Sequence, residues 1–347
     1  MVFGLQIKKT KIKILAFPKY GNTSNPFLVN INKYLENDKD LSIDEFNIFK
    51  PFIRRYDIFH IHWPDYFFVK SFLYTLLRVV YFILIIGIFK VTNTKIIWTV
   101  HNLQPHNNYH PKLNKLVMKI FTTFIENIIV MSEESKRLVD KKYPSLVDKK
   151  YSLIYHGLYD NYENTVSKEE SRRKLGIDLD KKVLLFFGRI DEYKNIPTLI
   201  DEFSKIDDKQ FVLIIAGEIQ NTELRDEINS KIKSSSIFTF FDFIPDDDVQ
   251  YLFNASDLVV LPFMNILNSG SAMLALSFKK PLLCPNKGSL IELSSIVGNE
   301  TIITYEEFNS KIIKEAVKVS IFPQEAILKQ FKNKELSDKL KKVYLNI

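Results

Sequence analysis

Short apolar runs recur along this chain, separated by longer mixed stretches, and most of them stop at a distinctive group of polar residues. In the first half the runs read as strands at 11–17, 56–62, 95–100, 127–131 and 151–155, with a helix expected at 27–35 after the turn-rich loop 18–26. A polar stretch at 160–173 is expected to be a linker, after which the pattern restarts with strands at 183–187, 211–216, 237–240, 258–261 and 281–284. Helices lie between the strands, which calls for parallel pairing and a doubly wound α/β sheet in each half. Two Rossmann-like domains, 1–160 and 161–323, are therefore expected to face each other across a cleft, with ligands at the carboxyl ends of the strands. The Lys-rich pattern at 324–345 predicts a closing helix, and segment 324–347 is expected to pack back on the N-terminal domain.

The stretch 67–91 is almost wholly apolar apart from Lys70, Arg78 and Lys90, with an uninterrupted core at 79–89. Eleven uncharged residues fall short of the roughly 20 that a bilayer span needs. The segment reads either as a helix buried in an α/β domain or as one lying at a membrane surface. Both hold if one face packs inward and the other meets lipid.

Chemistry gathers at the strand ends. The run 183–187 stops at Gly188, sets Arg189 at the strand end and returns a second cation, Lys194, just before a helix expected at 197–203. Two cations beside free backbone N–H groups and the positive end of a helix suit a diphosphate; the alternative is a solvated loop with two surface charges. A second turn, 265–271, carries Asn268, Ser269, Gly270 and Ser271 ahead of a helix expected at 272–278. It offers hydroxyls and N–H groups to a phosphate, or is a plain N-cap. His60 and His62 share one face of their strand, and without a carboxylate or cysteine partner they do not resemble a metal-ligand set.

Composition narrows the classes. With 347 residues and 46% hydrophobic side chains, two cores can be buried. A single cysteine, Cys284, excludes a disulfide framework and a cysteine-rich metal site and suits a reducing cytoplasm. Residues 1–13 lack the apolar core and cleavage site of a signal peptide. The net charge of +7 is dispersed rather than clustered, which argues against a nucleic-acid partner and fits anionic substrates or an anionic membrane.

In order, Phe187-Gly188-Arg189 with Lys194, Gly217-Glu218, Asp257 through Pro262, Ser277 through Pro281, and Gly288 with Glu292 resemble the donor half of GT-B nucleotide-sugar glycosyltransferases of the family 4 type. The first half is similar to a narrower bacterial group found in exopolysaccharide clusters, which includes GDP-mannose:glycolipid β-mannosyltransferases. The residues that carry this are the strand ends at 57–64 and 98–103, Pro105-His106 and His156-Gly157. The resemblance covers roughly residues 10–295.

The resemblance implies a GT-B hexosyltransferase that moves a sugar from a nucleotide donor to a lipid-linked saccharide in surface or exopolysaccharide biosynthesis. GDP-mannose is the leading donor, with UDP-glucose and UDP-galactose open. Gly188, Arg189 and Lys194 would hold the donor diphosphate, Asn268, Ser269, Gly270 and Ser271 would touch phosphate or sugar, and Glu218 and Glu292 would lie toward the nucleoside. His62, Trp63, Asn102 and His106 would contact the acceptor. Neither a cofactor nor a catalytic metal is expected, since cationic side chains neutralise the leaving diphosphate. The protein is expected in the cytoplasm, peripheral at the inner face of the plasma membrane.

One departure matters. Retaining members carry two glutamates eight positions apart, and here those places fall near Ile266 and Leu274. Inversion is therefore expected, with a general base at a strand end of the first half: Asp65 first, His101 second, then His62 and His106. Asp65 would alternatively cap the next helix, and His101 would alternatively touch the donor sugar. The competing classes are an inactive GT-B sugar-binding or scaffold subunit and a GT-B-type epimerase or phosphorylase.

Overall fold

Strands β1 (Ile12–Phe17), β2 (Leu41–Glu45), β3 (Ile58–Ile61), β4 (Lys95–Thr99), β5 (Asn127–Val130) and β6 (Lys150–Leu153) pair in parallel in the order β2-β1-β3-β4-β5-β6. A second parallel sheet takes β7 (Lys182–Phe187), β8 (Phe211–Ala216), β9 (Ile237–Phe240), β10 (Leu258–Val260), β11 (Leu282–Pro285) and β12 (Ile302–Tyr305) in the order β12-β11-β10-β7-β8-β9. The computed structural model describes residues 11–20, 26–103, 109–206, 209–318, 321–322 and 324–347. The fold is α/β, two doubly wound Rossmann-like sheets of the GT-B type. In each sheet the chain winds outward from a central strand and then crosses back beside it. Those switch points lie between β1 and β3 in one sheet and between β7 and β10 in the other, and such points are where open parallel sheets bind ligands.

The central strands are apolar because both faces are covered. Every residue of β3, β5, β8, β10 and β11 is buried. The two strands that the apolar pattern leaves out, β2 and β12, are edge strands with half-buried positions. Edge positions tolerate polar residues, so Leu41-Ser-Ile-Asp-Glu45 carries no apolar run.

The chain divides into two compact units, Met1–Gly157 with Asn333–Ile347 and Leu158–Lys332. The boundary lies at 157/158 rather than 160/161, and the return to the first unit begins at 333 rather than 324. The expected single helix at 324–345 is broken into Glu325–Leu328, a 3₁₀ turn Lys329–Phe331, and Asn333–Leu345. The break separates apolar anchors that belong to different units. Phe331 is buried in the second, and its carbonyl accepts from Leu158 N at 3.0 Å. Leu336, Leu340, Val343 and Tyr344 complete the core of the first, against Ile14, Leu28 and Ile31. Ser337 Oγ donates to Ile31 O at 2.7 Å, and Lys341 Nζ bridges Asp38 and Asp40 at 2.7 and 2.8 Å.

Helix Phe72–Val91 runs 20 residues and is, among the described residues, the one helix long and apolar enough to cross a membrane. That length exceeds the eleven-residue core seen in the sequence because Arg78 and Lys90 are accommodated within it. Thr75, Val79, Phe82, Ile86 and Phe89 form a buried stripe that meets Phe59, Phe67 and Phe121. Phe72, Leu73, Leu76, Leu77, Val80 and Leu84 are exposed on the outside.

The expected linker 160–173 overlaps a helix, Lys168–Leu175, capped by Ser167 Oγ accepting from Glu170 N at 3.0 Å. Its polar surface conceals a buried guanidinium. Arg172 is 1% exposed and donates to Ala255 O at 3.0 Å, Leu179 O at 2.6 Å and Asp257 at 2.8 Å. Asp257 also accepts from Val183 N at 2.7 Å, which fixes the start of β7. Arg172→Ala removes the buried partner of Asp257 and leaves two carbonyls unpaired. A loss of about 3–5 kcal/mol in chemical denaturation is expected; a loss below about 1 kcal/mol would contradict this role.

Candidate active site

In the second unit the switch point is closed by glycines. Gly188 follows β7 at φ +134°, and Gly217 follows β8 at φ +148°. A Cβ on Gly217 would lie 2.0 Å from the Gly188 carbonyl oxygen, and one on Gly188 would lie 2.8 Å from Ser271 Oγ. Glycine at 217 lets the ends of β7 and β8 meet, and glycine at 188 leaves room for the Ser271 side chain. Ile190 N donates to Glu218 O at 2.9 Å, so the two strand ends stay in register past the sheet.

From there the chain makes the 3₁₀ turn Glu192–Lys194 and enters helix Ile196–Ser204. Met264 N donates to Tyr193 O at 2.9 Å and ties this turn to the loop after β10. Lys194 is 8% exposed, with its ammonium 3.8 Å from the centroid of Phe263. Among the described residues no carboxylate pairs with it and its side chain makes no hydrogen bond. Burial draws its pKa down from 10.5 to about 7; Asp191 opposes that shift and the Arg189 cation adds to it. Arg189 is half exposed, and Asp191 Oδ2 accepts from its Nε at 2.9 Å and its terminal nitrogen at 2.8 Å.

Helix Gly270–Ser277 begins two residues earlier than the sequence suggests, because Ser269 is the N-cap and its Oγ accepts from Ala272 N at 3.1 Å. That places Gly270 and Ser271 in the first turn, with Ser271 against Gly188. Gly188, Arg189, Lys194 and the Ser269–Ser271 turn thus gather at one switch point. Glu218 is exposed beside it and accepts from Gln220 at 3.2 Å. Asn268 is half-buried in the same loop, and Glu292 stands in the first turn of helix Ser289–Val297, whose Ser289 N donates to Leu267 O at 3.0 Å. Ile266 and Leu274 stand where an acidic pair would, and Leu274 is buried.

In the first unit the ends of β3 and β4 bring histidines together. His62 Nδ1 and His101 Nε2 are hydrogen-bonded at 3.0 Å, and Trp63 stacks on His101 with centroids 4.4 Å apart. His60 is a core residue held by Tyr344 OH and Thr99 Oγ1, both at 2.7 Å. Burial draws His60 and His101 to about 3 and His156 to about 4, with neighbouring imidazoles adding to it at His101. His62 lies well below its ordinary value for the same reasons. These rings are neutral at physiological pH, a form that donates or accepts hydrogen bonds and that can still accept a proton.

Asp65 lies in the 3₁₀ turn Pro64–Phe67, and Ser71 is the N-cap of helix Phe72–Val91, so Asp65 does not cap that helix. It lines a cavity of about 20 Å³, room for one water, with His62, Trp63, Asn102, Asn114 and Tyr143. The Tyr143 hydroxyl is pushed up to about 12 by burial and by the Asp65 charge. Asn114, Tyr143 and Phe263 escape sequence reading because only the fold brings them to the site, whereas Asp191 lies between the two predicted cations and only its pairing with Arg189 is new. His106 lies outside the described residues, and among those described no three His, Cys, Asp or Glu side chains cluster to hold a metal.

Comparison with known proteins bears on both units. The family model described as "Glycosyl transferases group 1" matches residues 167–343. A GDP-mannose:glycolipid 4-beta-D-mannosyltransferase from Xanthomonas campestris is 26% identical over 304 residues, 86% of this chain and 81% of that protein. Among solved structures, Anabaena Alr3699/HepE in complex with UDP-glucose gives a TM-score of 0.69 at 14% identity, covering 97% of this chain and all of that one. Sucrose-phosphate synthase from Thermosynechococcus elongatus gives 0.68 at 12% identity, covering 97% and 99%.

A buried amine with no counter-ion costs stability and gains an anion's binding energy. Lys194→Met is expected to stabilise the unliganded protein by on the order of 1 kcal/mol or more, seen as a higher melting temperature, and to abolish stabilisation by nucleoside diphosphates. Arg189→Ala should weaken nucleoside diphosphate binding about tenfold or more through one lost charge-assisted contact. Thermal shift with GDP and UDP reads both. Full ligand stabilisation in either variant would place the anion site elsewhere.

Proposed function

The chain belongs to the group 1 glycosyltransferases, and from that premise we propose that this nucleotide-sugar-dependent enzyme transfers mannose from GDP-mannose to a lipid-linked saccharide of a surface polysaccharide. The observation that carries the donor half of the reading is the buried, unpartnered Lys194 at the switch point, beside Arg189 and the Ser269–Ser271 helix start. An anionic diphosphate there restores the lysine's counter-charge and meets free helix N–H groups. As the sugar–phosphate bond breaks, charge builds on that diphosphate, so the same contacts strengthen toward the transition state. Choice of mannose and of a glycolipid acceptor is supported by the Xanthomonas relative, whose similarity runs through both units.

In this reading the first unit supplies acceptor contacts and base. Asp65 takes the acceptor hydroxyl's proton, and neutral His62, His101, Trp63 and Asn102 orient the sugar. The absence of an acidic pair at Ile266 and Leu274 favours single displacement with inversion, giving a β-linked product from an α-linked donor. The exposed apolar face of helix Phe72–Val91, flanked by Lys70, Arg78 and Lys90, lies against the anionic inner leaflet of the plasma membrane, where a lipid-linked acceptor resides.

A panel of nucleotide sugars tested with a lipid-linked saccharide should show the highest kcat/KM with GDP-mannose, and NMR of the product should show a β linkage. An α linkage would refute inversion, and donor hydrolysis without transfer to any acceptor would favour a sugar-binding role. Asp65→Asn should retain GDP-mannose binding and lose transfer by on the order of 10²-fold or more; an active variant removes Asp65 from the mechanism. The protein should sediment with phosphatidylglycerol vesicles at low salt and be released by high salt. Recovery wholly in the supernatant at low salt would contradict the membrane contact.

A further inference from the structure

A second, larger cavity in the first unit, about 530 Å³, lies between helix Pro111–Thr123 and the chain at 142–145. Its size is that of a small-molecule site. Three lysines line it, Lys115, Lys119 and Lys142, around an apolar wall that includes Met118 and Pro144, and among the described residues no acidic side chain lines it. Lys115 and Lys119 are one helical turn apart, so their charges repel. The helix that bears them contains no acidic residue, and among the described residues neither lysine makes an ion pair or side-chain hydrogen bond. Lys142 Nζ is fixed over the site by Leu103 O at 2.5 Å, and burial lowers its pKa. Ser145 Oγ donates to Thr122 Oγ1 at 2.8 Å and ties one wall to the other.

The cavity shares Asn114, Met118 and Tyr143 with the small cavity that holds Asp65. Anything bound among the lysines therefore borders the candidate base. Leu116 and Ile120 are exposed on the same helix, which packs beside helix Phe72–Val91 through Phe121 and Phe82. Cations without counter-ions, an apolar wall and an adjoining apolar surface call for an anion attached to a hydrocarbon.

Resting on the reading of this enzyme as a glycolipid transferase, we infer that the Lys115–Lys119–Lys142 cavity binds the phosphate or diphosphate that joins the acceptor saccharide to its lipid. Selection for a phosphate-linked acceptor then comes from the first unit, independently of the donor site.

Geranyl diphosphate serves as a probe that needs no turnover. Calorimetry with GDP present at a concentration that saturates the donor site should detect its binding to the wild-type protein. Lys115→Gln/Lys119→Gln should weaken that binding at least tenfold, whereas Lys194→Met should leave it unchanged. Both lysines are exposed, so the melting temperature should stay near wild type. In turnover, the double variant should raise KM at least tenfold for a saccharide on a prenyl diphosphate, with KM for the donor and for the same saccharide on an uncharged alkyl chain unchanged. Probe binding lost in Lys194→Met instead, or untouched by the double variant, overturns the inference. So does an equal rise in KM for charged and uncharged acceptors. A loss of phosphatidylglycerol vesicle binding without a loss of probe binding would assign these lysines to bulk lipid headgroups and also overturn it. Probe binding as expected with no transfer to any acceptor would count against the transferase reading and leave this site standing.

Discussion

Moving an ammonium out of water without a counter-ion is unfavourable, and a folded chain tolerates it only where something else depends on that charge. Lys194 meets this constraint, packed over Phe263 at the point where the second sheet reverses its strand order, and burial accordingly favours its neutral form. Much of the surrounding construction holds it there. Gly188 and Gly217 let two strand ends touch, Asp191 clamps Arg189 rather than pairing with Lys194, and the Met264–Tyr193 hydrogen bond fixes the turn. In the proposed reading, the buried amine and the start of helix Gly270–Ser277 together form an anion site that a diphosphate would complete.

The first unit solves a different problem. The ends of β3 and β4 gather imidazoles that burial keeps neutral. Positive charge is kept away from them, on the lysines of helix Pro111–Thr123 and around the exposed face of helix Phe72–Val91. In the proposed reading, a neutral polar centre would take the saccharide and a cationic, apolar periphery its lipid carrier.

The strand ends were legible in the sequence because central strands of a doubly wound sheet are buried on both faces and so read as apolar runs that stop abruptly, as β7 stops at Gly188. The edge strand β2 was not, since its Ser42, Asp44 and Glu45 interrupt any apolar run, and the short edge strand β12 was also missed. Helix Lys168–Leu175 was hidden for the converse reason: its charged residues read as solvated, whereas Arg172 reaches back under Ala255 and Asp257. The residue types at the candidate site were also legible, yet their states were not. That Lys194 is buried, that the His101 ring is buried and neutral, and that Asn114 and Tyr143 border Asp65 depend on contacts between segments far apart in the chain. His106, named from the sequence alone, lies outside the described residues.

The claim that Lys194 waits uncharged for an anion has a direct thermodynamic signature. Its amine ordinarily titrates at 10.5 and in this fold at about 7, so it is largely neutral at pH 8, and a bound diphosphate draws it back to the charged form. A nucleotide sugar carries constant charge across this range, which leaves the protein as the source of any proton linkage. Calorimetric titration of GDP-mannose at pH 8, in buffers of different ionisation enthalpy, measures the protons taken up on binding. The account predicts uptake approaching one proton in the wild-type protein, shrinking toward zero at pH 6 and absent in Lys194→Met. Binding without proton uptake at pH 8, or the same uptake in the variant, would contradict it.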